Sequence, residues 1–243
     1  DIEEKITKKT KVIVLISPNN PTGSVLSKDT IRRISEIAQD NDLIVISDEI
    51  YEKLTYDGTI HHSVISFPGM EERTVIINSF SKTYAMTGWR IGFIVAPKEI
   101  MSNIIKIHHT MNACACSVSQ KAALAALTGP QDCIIEMLKE YDKRRKEMVN
   151  LLNKIPGFTC QMPKGAFYAF PNIKSFKISS MEFAKFLIKK ARVVTVPGSA
   201  FGENGEGYLR LSYATSVENI REALGRIKDS VEKFRGELTT RNF

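Results

Sequence analysis

Residues 74–95 read TVIINSFSKTYAMTGWRIGFIV, and this stretch decides the fold class that the sequence predicts. It contains two apolar runs typical of β-strands, at residues 74–79 and 90–95. The connection between them, residues 82–89, is too short for a helical crossover. We therefore expect the second strand to run antiparallel to the first.

Two earlier runs, residues 11–17 and 43–48, are nearly continuous in Val, Ile and Leu, as is the run at residues 74–79. Such runs predict strands of a parallel sheet that are buried on both faces. Between the first two, Ser27 is expected to cap a helix that ends near Gln39. The alternation predicts an α/β fold, in which helices cover a mostly parallel sheet.

The pattern changes after Pro97. It is helical to about residue 154, with breaks near residues 113–117 and at Gly129–Pro130. Short strands and helices then alternate, with strands predicted at residues 158–162, 166–170, 193–196 and 208–213 and helices at residues 180–192 and 216–235. We therefore predict two domains, with residues 1–154 in a large α/β domain and residues 155–243 in a small α+β domain.

The composition is typical of a globular protein, with 243 residues, 43% of them hydrophobic, and a net charge of +7. No apolar run approaches the roughly 20 residues of a membrane helix, so we predict neither a membrane span nor a membrane partner. The four cysteines form no disulfide framework or zinc pattern, and we interpret them as reduced thiols of a cytoplasmic protein. Because the chain begins with Asp1 and a charged segment, we expect that residue 1 is not the natural start.

The densest basic run, residues 143–146, is the feature that could indicate a nucleic-acid partner. It lies in a helical pattern whose apolar positions include Met137, Tyr141 and Met148. We expect its charges to fill the solvent-exposed face of that helix. On this ground we predict no nucleic-acid partner.

Polar segments follow the first three predicted strands. They are Ser17-Pro-Asn-Asn-Pro-Thr-Gly23, Asp48-Glu-Ile-Tyr51 and residues 78–92. Ligand sites in open α/β sheets lie outside the carboxyl ends of the parallel strands. The sequence therefore predicts a ligand site that includes Asn20, Asp48 and Lys82.

These segments, together with Tyr208-Leu-Arg-Leu-Ser212, resemble the pyridoxal 5'-phosphate site of fold-type I aminotransferases of class I and II, the aspartate aminotransferase-like group. Their order and spacing are similar to the family's over nearly the whole chain. The resemblance implies the fold of the family's large domain without its N-terminal strands, followed by a small C-terminal domain. Residues 1–154 would then be the C-terminal portion of the cofactor-binding domain.

By this resemblance Lys82 is the catalytic residue and holds the cofactor covalently through its amine. Asp48 is expected beside the pyridine nitrogen, where a carboxylate keeps the ring protonated. Its alternative role is to cap a helix after a strand, a common use of Asp. Without the neighbouring motif residues, Lys82 could equally be interpreted as a surface lysine that follows a strand.

The remaining cofactor-binding residues are also assigned by resemblance. Asn20 and Tyr51 would bind the phenolic oxygen of the ring, although simple packing could also explain Tyr51. Ser79 and Arg90 would bind the phosphate, since a guanidinium and a hydroxyl suit a dianion. We interpret Pro18 and Pro21, in the loop that carries Asn20, as residues that stiffen it.

Arg210 lies in a strand pattern in which Leu209 and Leu211 point to the other face. The resemblance makes it the residue that binds the α-carboxylate of the substrate, with Asn20 as a second substrate contact. A planar guanidinium offers two parallel hydrogen bonds that lysine cannot reproduce.

Several other features receive no chemical role. The glycines of residues 202–207 are interpreted as a turn. His61-His62 and His108-His109 lack the spacing and carboxylate neighbours of a metal site, so we predict no metal ligands. Residues 163–168 and 197–201 resemble family segments near the substrate pocket, but turns and core packing explain them equally well.

The resemblance predicts transamination between an amino acid and a 2-oxo acid, with aspartate-type or broad specificity, by a homodimer. Two alternatives stay open. One is a β-lyase or aminocyclopropane-carboxylate synthase-like enzyme, and the other is a non-catalytic sensor domain of a transcription regulator. Because the family has an upstream portion that this sequence lacks, we expect the chain alone to have little or no activity.

Overall fold

The computed structural model describes the backbone of residues 1–240 and the side chains of residues 1–233. It divides into two compact units. Unit 1 contains Asp1–Asn19 and Ser24–Glu136, and unit 2 contains Asn20–Gly23 and the chain from Met137 onward. Among the described residues, no helix is both long enough and apolar enough to cross a membrane.

Unit 1 is built on a four-stranded sheet. Its strands follow the order β1 (Val12–Ile16), β2 (Ile44–Asp48), β3 (Thr74–Ser79) and β4 (Gly92–Val95). The first three strands are parallel, and β4 pairs antiparallel to β3. The fold class and the antiparallel fourth strand are therefore confirmed.

The helices of unit 1 agree closely with the sequence pattern. Ser27 Oγ accepts a hydrogen bond from the backbone N–H of Thr30 and so caps the helix between the first two strands. The helices are α1 (Ile2–Lys5), α2 (Lys28–Asp40), α3 (Phe80–Thr83), α4 (Lys98–Asn112) and α5 (Ser117–Thr128), with 3-10 turns at Val64–Ser66 and Thr87–Trp89. A further helix, α6 (Asp132–Leu152), begins in unit 1 and continues in unit 2.

The core of unit 1 lies between one face of the sheet and α2. Buried strand residues pack there against the apolar side of the helix. The strand residues include Ile13, Leu15 and Val45, and the helix residues are Ile31, Ile34 and Ile37. The prediction that the strands are buried on both faces is wrong for β1, whereas the successive residues Thr74, Val75 and Ile76 of β3 are all buried. On the other face Val14 is 64% exposed and Ile94 40% exposed. The alternating burial of β1 follows from this one-sided cover, because successive side chains point to opposite faces.

Unit 2 contains a small antiparallel sheet and two long helices after α6. The sheet has the order β5 (Tyr168–Ala169), β7 (Leu209–Ser212) and β6 (Val196–Pro197). The helices are α7 (Ser180–Ala191) and α8 (Val217–Thr240), with 3-10 turns at Lys174–Phe176, Gly198–Phe201 and Glu203–Gly205. The fully buried side chains of unit 2 include Leu152, Ile173, Phe183, Leu187, Leu209 and Ile220. The domain boundary at residue 154 stays a prediction.

Residues 158–162 do not form the predicted strand. The segment makes an isolated bridge, Thr159 to Asn172, and the side chain of Asn153 hydrogen bonds both the N–H and the C=O of Cys160. Because these backbone groups are already occupied, a regular ladder does not form there.

The basic run of α6 also departs from the prediction that its charges fill an exposed face. Arg145 is completely buried. Its guanidinium pairs with Asp142 and donates from Nη1 to the carbonyl of Pro163 at 2.7 Å. A buried guanidinium requires such partners, and these bonds fasten the loop after residue 162 to the helix.

Candidate active site

Asp48 is the last residue of β2, at the carboxyl end of the parallel part of the sheet. Its Oδ1 accepts a hydrogen bond from the N–H of Ile50 at 3.1 Å, so it caps the turn that follows. Burial raises the pKa of its carboxyl, and the nearby Glu49 carboxylate adds to this, while the hydrogen bond from Ile50 opposes it.

Lys82 and Tyr51 lie near each other in unit 1. The Lys82 Nζ is 6.0 Å from the centroid of the Tyr51 ring, a distance typical of a cation–π contact. The Tyr51 side chain is buried, while Lys82 is half-buried on the short helix α3. An amine in this position is shielded on one side by an aromatic ring.

Ser79 ends β3 and caps α3. Its Oγ accepts from the N–H of Ser81 at 3.0 Å and lies 2.9 Å from the Ser81 Oγ and 3.0 Å from the Ile91 carbonyl. Arg90 has left-handed backbone geometry with φ 49°, and its Nη1 donates to the carbonyl of Thr87 at 3.0 Å. These three polar side chains border one groove.

That groove has a volume of about 470 Å³ and lies within unit 1. Its polar lining residues are Asn78, Ser79, Ser81, Arg90 and His108, and its apolar ones are Ile91 and residues of β3, β4 and α4. Gly92 permits the close approach of the two strands at this point, because a side chain there would meet the carbonyl of Asn78 at 2.7 Å.

Arg210 and Asn20 are joined in unit 2. The Nη1 of Arg210 donates to the Oδ1 of Asn20 at 2.9 Å. The guanidinium carbon of Arg210 lies 4.6 Å from the centroid of the Tyr168 ring and 5.1 Å from that of the Phe201 ring. As the sequence predicts, Leu209 and Leu211 are buried on the other face of β7. Two aromatic rings and an amide thus fix the plane of the guanidinium.

The loop that carries Asn20 is fastened within unit 2 through Gly23. Its carbonyl accepts from the N–H groups of Lys164 and Gly165, at 2.9 and 2.8 Å. Gly23 has φ 67°, and a Cβ there would overlap the Pro163 side chain. Only glycine fits this position without strain. The Ser17–Pro18 and Asn20–Pro21 peptide bonds are both cis.

A family model for aminotransferases of class I and II matches residues 1–227. The chain belongs to the class I and II aminotransferase family. The aspartate aminotransferase of Pyrococcus horikoshii is 45% identical over 234 residues, which are 96% of this chain and 59% of that relative. The aromatic-amino-acid aminotransferase 2 of Thermococcus litoralis is 44% identical over 94% of this chain and 59% of its own length.

Solved structures of the aminotransferase family give the same result. The chain superposes on the crystal structure of an aromatic aminotransferase from Pyrococcus horikoshii with a TM-score of 0.94 and 44% identity, covering 96% of this chain and 63% of that one. The chain thus spans about 60% of the length of the curated relatives it matches.

For this aminotransferase chain, the structure groups the predicted site residues in two sets. Asp48, Tyr51, Ser79, Lys82 and Arg90 belong to unit 1, whereas Asn20 and Arg210 belong to unit 2 and contact each other. Their assignments to cofactor and substrate stay predictions.

Sequence reasoning missed two features of the aminotransferase chain. Ser81 lies beside Ser79 in the groove wall, although it is inside the segment that carries the resemblance. His61, which received no role, forms a buried pair with Glu49: its Nε2 lies 3.1 Å from the Glu49 Oε2. The alternation of Ser47 and Glu49 on an otherwise apolar strand was the available signal, since polar side chains on a buried face require partners.

Proposed function

We propose that the protein containing this chain transfers amino groups between amino acids and 2-oxo acids with pyridoxal phosphate. The single observation that carries this proposal is that a carboxylate ends β2 and a tyrosine follows it, while a serine ends its parallel neighbour β3 and a lysine follows, with the lysine 6.0 Å from the tyrosine ring. Membership of the aminotransferase family supports it.

The residues of unit 1 fit this cofactor by the chemistry of their side chains. The cofactor has an aldehyde, a basic ring nitrogen, a phenolic oxygen and a phosphate dianion. The chain offers an amine in Lys82, a carboxylate in Asp48 and a phenol in Tyr51. Hydroxyls and a guanidinium at Ser79, Ser81 and Arg90 border a groove of about 470 Å³. Each group of the cofactor therefore has a complementary side chain.

When bound, pyridoxal phosphate supplies an aldehyde that combines with amines and a ring that withdraws electrons. Lys82 would hold it covalently and, once the amine of the substrate has replaced that of Lys82, would carry the proton from the substrate Cα to the C4′ carbon of the cofactor. Asp48 would stabilise a proton on the ring nitrogen, because a carboxylate favours a neighbouring positive charge. Tyr51 and Asn20 would bind the phenolic oxygen, and Ser79, Ser81 and Arg90 the phosphate.

Arg210 and Asn20 would bind the α-carboxylate of the substrate. Asn20 and the rings of Tyr168 and Phe201 hold the guanidinium of Arg210 in one plane. A fixed guanidinium can form two parallel hydrogen bonds to a carboxylate with little further loss of side-chain freedom. This arrangement selects α-amino and 2-oxo acids as a class and leaves their side chains open.

We infer aspartate-type or broad specificity. Relatives with similar identity are named as aspartate and as aromatic-amino-acid aminotransferases. We also propose a homodimer on the resemblance stated above, a cytoplasmic location on the pattern of the cysteines, and a domain boundary near residue 154 on the change of sequence pattern there. Light scattering of the full-length protein would test the dimer, and a monomer would contradict it.

The function is tested with the full-length protein, pyridoxal phosphate and a panel of amino acids paired with 2-oxoglutarate. We expect glutamate and the 2-oxo acid of the donor as products in equal amounts. Pyruvate and ammonia without glutamate would indicate β-elimination instead. A protein that binds the cofactor and turns over no amino acid would support the sensor-domain alternative.

A further inference from the structure

Glu49 directly follows Asp48 and points to the opposite face of β2. Successive side chains of a strand alternate between faces, so Glu49 shares a face with Ser47 rather than with Asp48. The Ser47 Oγ donates to the Glu49 Oε1 at 3.0 Å, in agreement with this alternation. Glu49 is therefore placed behind Asp48, on the core side of the strand end.

Three side chains hold the Glu49 carboxylate. Besides Ser47, the Oγ of Ser63 donates to Oε1 at 2.7 Å, and the Nε2 of His61 lies 3.1 Å from Oε2. Only 4% of the Glu49 side chain and 9% of the His61 side chain are exposed. Burial alone would raise the pKa of Glu49, but the hydrogen bonds from His61, Ser63 and Ser47 outweigh it and lower the pKa. An ionised carboxylate only accepts hydrogen bonds, so His61 donates from Nε2.

Packing alone does not explain an ionised carboxylate at this place. Burying a charge costs free energy even when it is paired, and apolar side chains of similar size serve the core equally well. The backbone here is also fixed on both sides: the Ser17 N–H donates to the Asp48 carbonyl at 3.2 Å, and the Glu49 N–H donates to the Ile77 carbonyl at 2.9 Å. The side-chain cluster adds a third attachment at the residue next to Asp48.

We propose that Glu49 is a positioning residue for Asp48, and that His61 and Ser63 hold Glu49 in place for this purpose. The cluster fixes the turn that aims the Asp48 carboxylate, and its negative charge increases the attraction of this strand end for a proton. The inference rests on the proposed function, in which Asp48 stabilises a protonated ring nitrogen.

The charge effect agrees with the raised pKa of Asp48. After burial, which is the larger cause, the Glu49 carboxylate raises the pKa of Asp48. Two neighbouring carboxylates favour a shared positive partner more than one does. Removal of the Glu49 charge should therefore be measurable at Asp48 itself, without the cofactor.

The test uses the full-length protein with Glu49→Gln, which keeps the shape of the side chain and removes its charge. The matched control is Asp42→Asn, which makes the same charge change next to the other end of β2, where Asp42 pairs with Arg73 at 3.1 Å. Carbon-13 NMR of the cofactor-free protein follows the titration of the Asp48 carboxyl, and steady-state kinetics give kcat and KM.

In Glu49→Gln we expect the Asp48 titration midpoint to fall and kcat to drop about tenfold or more, while KM for the amino acid changes little. Asp42→Asn should match the wild type in both measurements. Wild-type values for the Asp48 midpoint and kcat in Glu49→Gln would overturn the inference, as would a lower kcat with an unchanged midpoint. A metal ion that copurifies in equal amount and is lost in Glu49→Gln would overturn it too, because the cluster would then be a metal site.

Ser63→Ala provides a milder variant if Glu49→Gln does not fold. It keeps the charge of Glu49 and removes one of the three hydrogen-bond donors to its carboxylate. We therefore expect a smaller fall in kcat than in Glu49→Gln. An unchanged kcat in the folded variant would refute the role of Ser63 and Glu49. A wild-type protein without transaminase activity would contradict the proposed function instead. The Asp48 titration would still decide whether Glu49 acts on Asp48.

Discussion

Arg210 donates a hydrogen bond to Asn20 at 2.9 Å although 190 residues separate them in the sequence. The two residues were assigned to the substrate on separate motifs, and the structure brings them into contact within unit 2. An arginine that already has one fixed partner is restricted in orientation. This contact makes the geometry of the guanidinium, rather than its charge alone, the property to test.

We expect Arg210→Lys in the full-length protein to weaken binding of amino and 2-oxo acids alike. Lysine keeps the charge but loses the planar pair of donors, which should cost about 1–3 kcal/mol per lost charge-assisted hydrogen bond. Binding is measured by titration of the loaded enzyme with several substrates. Arg144→Lys, at an arginine paired with Glu140 on α6, is the control. Loss of affinity for one side chain only would argue against a general carboxylate site.

Asp48→Asn should leave the cofactor bound but lower turnover by orders of magnitude. An amide does not stabilise a proton on the ring nitrogen, and without that proton the ring withdraws electrons poorly. Stopped-flow absorbance and equilibrium dialysis separate turnover from binding. Asp42→Asn should behave as wild type, and an unchanged rate in Asp48→Asn would mean that another acid has this role.

Lys82→Ala should abolish both the visible absorbance of covalently bound cofactor and transamination. The amine at this position is the proposed attachment point, and alanine offers no replacement. Borohydride reduction followed by peptide mass mapping identifies the modified lysine in the wild type. Lys98→Ala, at the start of α4, serves as the control. A modified lysine mapped elsewhere would contradict the assignment.

The cysteines should differ in reactivity in the 243-residue chain. Hydrogen bonds from the backbone of Ser119, from that of Val118 and from the Ser119 side chain lower the pKa of the exposed Cys116, so more thiolate is present at a given pH. Burial raises the pKa of Cys160 to about 11, so it stays a thiol below that pH. An iodoacetamide time course near neutral pH should label Cys116 first and Cys160 last. Equal rates under native conditions would contradict this order.

The 243-residue chain alone should bind pyridoxal phosphate weakly and show little or no aminotransferase activity. About 40% of the length of its relatives lies outside the matched region, and side chains such as Val14 on one face of the unit 1 sheet are exposed in the described chain. Catalytic groups are effective only when held in place, and exposed sheet edges favour association. Fluorescence titration and activity assays beside the full-length protein test this. Tight binding and full turnover by the chain alone would refute it.

The parallel sheet and most helices of unit 1 could be predicted, because continuous Val, Ile and Leu runs and a capping serine at residue 27 are local signals. The uncovered face, with Val14 64% exposed, could not be predicted from such runs. An apolar strand has the same sequence pattern whether the residues that pack on its second face belong to this chain segment or to another. Its hydrophobic content therefore does not show which segment covers that face.

The site was predictable where one residue type in one motif carries the chemistry, as at Lys82 and Arg210. It was not predictable where burial depends on partners distant in sequence. His61 forms its pair with Glu49 across a turn that includes Leu54 and Tyr56, both buried, and no spacing rule anticipates that pair. Likewise, strand propensity alone favours a strand at residues 158–162, but the Asn153 side chain occupies the backbone N–H and C=O of Cys160.

The burial of Arg145 reduces the positive charge that this part of the chain presents to an anionic surface. The net charge of +7 counts every cation as if it faced solvent. In the densest basic run, however, Arg145 faces inward, while Arg144 and Lys146 form ion pairs with Glu140 and Asp142. A polyanion or a cation-exchange resin therefore meets a much weaker positive patch than the isoelectric point of about 9.2 suggests.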